Sequence, residues 1–266
     1  MNIVGQDKIL NSIRELNLDT FPRSVMLVGP EGSGKHSIAC FIARHLGITM
    51  EDISDKLTLE TIDDISTRVE PSVYLIDTKK ITVKEQNTIL KFVEEPLKNA
   101  YIIIITESKN RLLDTVLNRC LVWTLSNYSK STLEVFLNSV TQDNELILEI
   151  ATTPGQVIKY RDAQLKEYVE LARKIINCID IASVPNTLTL VDKLQYKDEK
   201  DKLTADIFFS VLLHESWKAV KESTKPYADR LYILTDQLKN DLLIANVDKK
   251  TLFENYLVRL WSEVRV

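Results

Sequence analysis

The sequence has 266 residues, of which 44% are apolar and 27% are charged, and its formal net charge is -4 at pH 7. Such a chain is long enough to bury the cores of about two or three domains, and its acidic balance disfavours a general nucleic-acid binder. It has no apolar run of the roughly 20 residues that a membrane-spanning helix needs, and its first residues lack the basic-then-apolar layout of a signal peptide. We therefore expect a cytoplasmic protein with no membrane partner.

The first half of the chain, up to about residue 125, alternates strand and helix signals. This order predicts a parallel sheet covered by helices on both faces. The predicted elements are a strand at 25–28, a helix at 38–46, a strand at 73–76, a helix from 82 to 96, a strand at 101–105, a short helix at 112–117 and a strand at 120–125. Thr82 and Glu85 have the spacing of a capping box at the start of the second helix.

Beyond residue 126 the strand signals stop and helical spacing dominates. We predict an α/β domain at 1–126, a small helical domain at 127–162 and an all-α domain at 163–266. The last helix is the most regular, with apolar residues at helical spacing from Leu252 to Val264. Its apolar side is predicted to pack on its own domain or, alternatively, on neighbouring subunits.

A glycine-rich segment, Gly29-Pro-Glu-Gly-Ser-Gly-Lys35, connects the first predicted strand to the first predicted helix. This is the setting of a phosphate loop, in which Gly29, Gly32 and Gly34 allow backbone N–H groups to converge on phosphate oxygens. Lys35 would place its charge against the β- and γ-phosphates. The alternative is a plain glycine turn between a strand and a helix. The pattern predicts a site derived from one that binds ATP or ADP.

Two positions depart from a site that hydrolyses ATP. His36 follows Lys35, where a hydroxyl would ligate Mg²⁺, and imidazole is a poor ligand for that ion. Ser37 belongs to the altered loop but lies about 100° further around the helix, so it does not simply replace the missing hydroxyl. Asp77 ends the second strand and is followed by Thr78, which cannot accept a proton as a carboxylate does. We expect weak or absent Mg²⁺ binding and no hydrolysis.

The order of motifs from Leu75 to Cys120 resembles that of the bacterial clamp-loader AAA+ family. The matching segments are Leu75-Ile-Asp77, Ile81-Thr82, Asn87-Thr-Ile-Leu-Lys91-Phe-Val-Glu94-Glu95-Pro96, an apolar strand ending in Thr106, and Leu112-Leu-Asp-Thr-Val-Leu-Asn118-Arg119-Cys120. Ile3-Val-Gly-Gln6 is similar to the opening box of the same proteins. The altered loop, Thr78, and Thr153-Pro-Gly155, which is similar to the start of a lid helix, place the chain closest to delta-prime-type members.

Some family features are absent or changed. The three cysteines are scattered, so the four-cysteine zinc module of many members is not predicted and no zinc is expected. Asn118 stands where the family has Ser, and Asp114 stands where Pro is common. The resemblance is to a compact form, either a bacterial delta-prime-type subunit of DNA polymerase III or a phage-type equivalent.

The resemblance implies an α/β P-loop (RecA-like) AAA+ domain with a parallel sheet at 1–126, a helical lid at 127–162 and an all-α collar at 163–266. It implies that Asp77 and Thr106 face the nucleotide, and that Arg119 acts in trans on the ATP of an adjacent subunit. The implied partners are an ATPase subunit, a delta-like wrench subunit, the sliding clamp and primer-template DNA. The chain would then be a non-hydrolysing subunit of a hetero-oligomeric clamp loader.

Three lysines, Lys79, Lys80 and Lys84, form a basic cluster beside the altered acidic motif. A solvated face is the ordinary interpretation, and contact with primer-template phosphates is the functional one. For the whole chain, the alternative function is an active AAA+ ATPase that tolerates His36 and Thr78. A small-molecule P-loop kinase is disfavoured because it has no use for the Arg119 motif or for a helical second half.

Overall fold

The computed structural model describes residues 3–95, 97–137, 144–163, 165–181, 194–195, 203–222, 226–242 and 248–264. They form two compact units. The first unit runs to Val135 and also includes Thr153–Gly155, and the second unit consists of Phe136–Thr152 and the residues from Gln156 onward. Within these ranges no helix combines the length and the hydropathy needed to cross a membrane.

The first unit is built on a five-stranded parallel sheet with the strand order β2-β3-β4-β1-β5. Its strands are β1 (Ser24–Val28), β2 (Thr49–Asp52), β3 (Ser72–Asp77), β4 (Ala100–Thr106) and β5 (Leu121–Thr124). Its helices are α1 (Asp7–Arg14), α2 (Lys35–Leu46), α3 (Leu59–Ser66), α4 (Val83–Glu94), α5 (Asp114–Leu117) and α6 (Lys130–Glu134). The predicted α/β P-loop fold with a parallel sheet is confirmed.

The strand register places three predicted site segments at one edge of the sheet. Val28 at the end of β1 pairs with Thr106 at the end of β4, and Asp77 at the end of β3 pairs with Ile105. The carboxyl ends of parallel strands are where ligands of such folds bind. The phosphate loop, Asp77 and Thr106 therefore emerge side by side.

Both faces of the sheet are covered, which explains the continuous apolar runs in its central strands. Every residue of β4 is buried, and Ile103 and Ile104 belong to the apolar layers on opposite faces. The predicted capping box of α4 is also confirmed, since the Thr82 side chain accepts from the Glu85 N–H and the Glu85 side chain accepts from the Thr82 N–H. α4 ends at Glu94, and Pro96 lies outside the described residues.

Two elements between residues 47 and 70 were not predicted from the sequence. β2 is an edge strand with polar residues and no fully buried position, so it has no apolar run to reveal it. α3 has a single buried residue, Ile65, and is capped by Thr58. The predicted helix at 112–117 begins only at Asp114, because a 3₁₀ turn at Lys109–Arg111 precedes it.

The second unit is mainly helical. Its elements are α7 (Asn144–Ile150), α8 (Pro154–Arg161, whose first residues belong to the first unit), α9 (Leu165–Ile181), α10 (Ala205–Lys221), α11 (Ala228–Asp241), α12 (Lys249–Val264), and two two-residue strands, β6 (Leu194–Gln195) and β7 (Leu203–Thr204). The parallel β6–β7 pair adds a ladder of two residues per strand to the predicted helical region, and it is too short to signal itself in sequence. The boundaries at 126 and 162 stay predictions.

The predicted last helix, α12, packs its apolar side on its own unit. The ring of Phe253 on α12 lies 5.5 Å from that of Phe208 and 5.2 Å from that of Phe209, both on α10. Such edge-to-face pairs add about 0.5–1.5 kcal/mol each beyond the burial of their area. The cluster anchors α12 to α10.

A charged cluster in the same unit centres on His214 of α10. Its Nε2 lies 2.8 Å from a Glu149 carboxylate oxygen and its Nδ1 lies 3.7 Å from Glu215, which accepts from Arg173 at 2.7 Å. The carboxylates of Glu215 and Glu149 raise the pKa of His214 above its ordinary value. Burial alone would raise the pKa of Glu215, but His214 and Arg173 hold that pKa below its ordinary value.

His214→Gln is therefore expected to destabilise the protein in a pH-dependent way. Because the folded-state pKa of His214 is raised, its ionic contribution is complete below the unfolded-state pKa and is lost as the pH rises through the folded-state pKa. The free energy of unfolding should fall by on the order of 1 kcal/mol at about pH 6 and by less at about pH 9. Chemical denaturation at both pH values measures this, with exposed His36→Gln as the control. An equal loss at both values would contradict the charge assignment.

Candidate functional site

The glycine-rich segment forms a phosphate loop between β1 and α2. Gly32 and Gly34 have φ angles of 74° and 90°, a region that glycine enters without the strain a side chain adds. Gly34 is also the residue that precedes the first turn of α2. These two turns direct the chain from the end of the strand into the start of the helix, as the sequence predicted.

The carbonyl groups of the loop are held by donors from the same unit. Lys35 Nζ donates to the carbonyls of Gly29 and Pro30 at 2.6 and 2.8 Å. Two donors come from the segment Thr153–Gly155: Thr153 Oγ1 donates to the Glu31 carbonyl at 2.7 Å, and Gly155 N donates to the Gly32 carbonyl at 3.0 Å. Tyr128 Oη donates to the Ser33 carbonyl at 2.7 Å. Within the described part of the chain, the N–H groups of Gly32, Gly34 and Lys35 have no protein acceptor. With its carbonyls held and these three N–H groups unpaired, the loop has the donors of an anion cradle.

The segment Thr153–Gly155 lies directly against this loop. A Cβ atom on Gly155 would be only 2.4 Å from the Gly32 Cα, so the backbones touch where only glycine fits. The resemblance marked Thr153-Pro-Gly155 as the start of a lid helix, and α8 does begin at Pro154. The contact with the phosphate loop was not predicted, since 122 positions separate Thr153 from Glu31.

Lys35 lies in a half-buried setting among acidic groups. Burial lowers the pKa of Lys35 to about 8, while the carboxylates of Glu107, Asp77 and Glu31 act in the opposite direction. Glu107 also holds Lys79, whose Nζ lies 2.8 Å from its carboxylate and 3.5 Å from that of Glu31. Sequence reasoning missed Glu107, because nothing in its local pattern separates it from an exposed loop acid.

The residues around the loop do not fit Mg²⁺. His36 is exposed, and its Nδ1 lies 3.5 Å from the Cys40 sulfur on α2. Ser37 is half-buried one residue further along α2. Asp77 accepts from the Lys79 N–H at 2.9 Å, so a carboxylate oxygen is already used. No hydroxyl takes the usual ligand position after Lys35, and in the described ranges no three His, Cys, Asp or Glu side chains form a metal-binding group.

The hydroxyl groups at the ends of β3 and β4 bind each other. Thr78 is 7% exposed and donates to Thr106 Oγ1 at 3.0 Å, and Thr106 Oγ1 donates to the Ser108 carbonyl at 2.8 Å. The position next to Asp77 is thus a buried hydroxyl in a chain of hydrogen bonds. It offers no carboxylate to activate water.

This cradle leads to a prediction about nucleotide binding. ADP is expected to bind equally well with Mg²⁺ and with EDTA, since the metal has no hydroxyl ligand here. Its affinity should fall about tenfold between about pH 7 and pH 9, because the Lys35 ammonium loses its proton with a pKa of about 8. Titration calorimetry measures both, and Lys35→Arg, which stays charged, should remove the pH dependence. A loss of affinity in EDTA would contradict the metal assignment.

Two of the three lysines predicted to contact DNA carry acidic partners. Lys79 pairs with Glu107, and Lys80 lies 2.9 Å from Asp55 and 3.4 Å from Asp52. Lys84 is exposed on α4. Partners of opposite charge reduce the attraction of the first two lysines for phosphate. The contact with DNA stays a prediction.

Arg119 lies at the surface in the turn between α5 and β5, and its side chain is 40% exposed. Its Nη1 donates to the Thr115 carbonyl at 2.8 Å, and its Nη2 lies 2.7 Å from a Glu94 carboxylate oxygen. Buried Val116 anchors α5, and the Arg119 N–H donates to its carbonyl at 3.2 Å. Burial raises the pKa of the next residue, Cys120, to about 11, so that residue is an unreactive thiol.

Comparison with known proteins matches this same part of the chain. A family model described as DNA polymerase III, delta subunit, matches residues 47–129, a range that includes Asp77, Thr106 and Arg119. The DNA polymerase III subunit delta' of Haemophilus influenzae is 25% identical over 139 residues, which are 50% of this chain and 42% of that relative. The DNA polymerase III subunit tau of Bacillus subtilis is 22% identical over 280 aligned positions, covering 89% of this chain and 49% of that relative.

The chain thus spans about half the length of these curated relatives or less. Among solved structures, a DNA polymerase III gamma subunit-related protein from Thermotoga maritima is 14% identical. It aligns over 98% of this chain and 100% of that chain with a TM-score of 0.47.

Proposed function

We propose, from the premise that the chain belongs to the clamp-loader AAA+ family and is delta-prime-like, that it is a non-hydrolysing subunit of a clamp loader in DNA replication. Its partners would be an ATPase subunit, a delta-like wrench subunit, the sliding clamp and primer-template DNA. The hetero-oligomer would open the clamp and load it on primed DNA in the cytoplasm.

The observation that carries this proposal is the contrast between two sites of the first unit. In the chain's own site, Thr78 replaces the usual carboxylate and His36 replaces the usual hydroxyl. Arg119, in contrast, is an exposed arginine. A guanidinium has five N–H donors in a fixed plane and can hold two phosphate oxygens at once. Such a chain is suited to support hydrolysis in a neighbour and not to perform it.

In this role, Arg119 donates hydrogen bonds to the γ-phosphate of ATP bound by the adjacent subunit. Charge spreads over the phosphate oxygens during transfer, and a positioned guanidinium stabilises that charge. The chain's own loop, Gly29 to Lys35, then serves as a structural anion cradle, with ATP or ADP as its ligand. Asp77 and Thr106 line the edge beside it.

The remaining regions have supporting roles in this proposal. Residues 127–162 serve as the lid and 163–266 as the collar that joins the subunits. Lys84, with Lys79 and Lys80 where their acidic partners allow, faces primer-template phosphates. These contacts position DNA and do not read its sequence.

The test is ATP turnover by the reconstituted complex that carries Arg119→Ala. The proposal predicts that assembly is intact and that the turnover stimulated by DNA and clamp is strongly reduced. Turnover equal to that of the unaltered complex would refute the role of Arg119.

A further inference from the structure

Glu94 binds the guanidinium of Arg119 from the last residue of α4. The carboxylate Oε1 lies 2.7 Å from Nη2, and the Thr115 carbonyl accepts from Nη1 at 2.8 Å on the other side. The guanidinium is therefore bound at both terminal nitrogens by its own chain. The bond between Arg119 and Glu94 joins two charged groups, so it is stronger than a neutral hydrogen bond of the same length.

These two contacts leave part of the fork free. A guanidinium has five N–H donors, and Glu94 and Thr115 use two of them. The Arg119 side chain is 40% exposed, so the remaining donors have access to an incoming anion. The arrangement fixes the direction of a long, flexible side chain without covering it.

The position of Glu94 is unfavourable for its own helix. A carboxylate in the last turn of a helix meets the negative end of the helix dipole, so α4 gains no stability from Glu94 or from the next residue, Glu95. Glu95 is also exposed, and within the described residues its carboxylate has no ion-pair partner. Of these two glutamates, only Glu94 contacts Arg119 within the described residues.

We propose that Glu94 is a positioning residue that holds the Arg119 guanidinium ready for a phosphate of the adjacent subunit. This inference rests on the proposed function of Arg119. Pre-organised donors stabilise developing charge better than donors that must first be ordered, so loss of Glu94 slows turnover and leaves ATP affinity unchanged. The carboxylate acts only through Arg119.

The experiment uses the reconstituted complex and a series of single variants. Glu94→Gln keeps an oxygen acceptor and removes the charge, and Glu94→Ala removes both. We expect kcat to fall about two- to fivefold for Glu94→Ala, the range for one exposed ion pair, and less for Glu94→Gln. The KM for ATP should stay within about twofold. Glu95→Ala is the matched control, and its kcat should equal that of the unaltered complex.

A second set of variants shows whether Glu94 acts through Arg119. In an Arg119→Ala background, Glu94→Ala should have no further effect on kcat. An additional fall there, a rise in kcat for Glu94→Ala alone, or an equal loss for Glu95→Ala would overturn the inference. If Arg119→Ala lowers turnover and Glu94→Ala does not, the positioning role fails and the proposed function stands. If Arg119→Ala itself has no effect, the proposed function fails as well.

Discussion

Arg119→Ala is expected to lower ATP turnover at the adjacent subunit's site by about a hundredfold. The size follows from the loss of one pre-organised charged donor at a transferring phosphoryl group, which typically costs two or more orders of magnitude. The fall should appear in kcat, because in the proposed role the guanidinium meets charge that develops during the reaction. The measured quantity is the ATP turnover that DNA and clamp stimulate. The complex used is one in which only the adjacent ATPase subunit keeps its catalytic glutamate.

The chain offers a matched control for this variant. Arg68 is 39% exposed and is bound by Glu51 and Asp64 at 2.7 and 2.9 Å, so it resembles Arg119 in exposure and in acidic contacts. Arg68→Ala should leave turnover unchanged. Arg119→Lys should recover only part of it, since an ammonium does not provide the planar fork. If both arginine variants reduced turnover equally, a general loss of structure would explain the result.

The isolated chain is expected to hydrolyse no ATP, even where its proposed anion cradle holds nucleotide. A missing general base costs about 10²–10⁴-fold in rate, and Thr78 provides only a buried hydroxyl that donates to Thr106. The absence of a hydroxyl ligand at His36 removes the usual support for Mg²⁺ as well. Steady-state phosphate release measures this, with purified chain alone and with Lys35→Ala.

The alternative function, an active ATPase with a divergent loop, gives the opposite result. It requires turnover by the unaltered chain that Lys35→Ala abolishes. Turnover at the level of an intact AAA+ ATPase, sensitive to Lys35→Ala, would show that Glu107 or another carboxylate replaces the missing base. The ion pair between Glu107 and Lys79 at 2.8 Å argues against such a role, because that carboxylate is already held by a lysine.

The sheet and the loop are predictable because their signals are local. Each central strand is an apolar run bounded by polar residues. Thr82 and Glu85 lie three positions apart, the spacing of a capping box, and so identify the start of α4. β2 has neither signal. Its exposed and half-buried residues are ordered by pairing with β3, a partner that its own sequence does not specify.

The contacts that define the site are largely non-local and could not be predicted. Lys80 is 25 positions from its partner Asp55, so the sequence of the basic cluster does not show that two of its lysines form ion pairs in the fold. Glu94 meets Arg119 only because α4 and the turn after α5 are adjacent in space. The resemblance marked Arg119 as a candidate site residue, whereas its contact with Glu94 is visible only in the structure.

The most direct measurement compares two complexes, one with Lys35→Ala and one with Arg119→Ala in this subunit, under stimulation by DNA and clamp. If the chain supports hydrolysis in its neighbour and performs none itself, Arg119→Ala lowers kcat about a hundredfold and Lys35→Ala leaves it within about twofold. The reverse pattern, with Lys35→Ala abolishing turnover and Arg119→Ala leaving it intact, would contradict the proposed function.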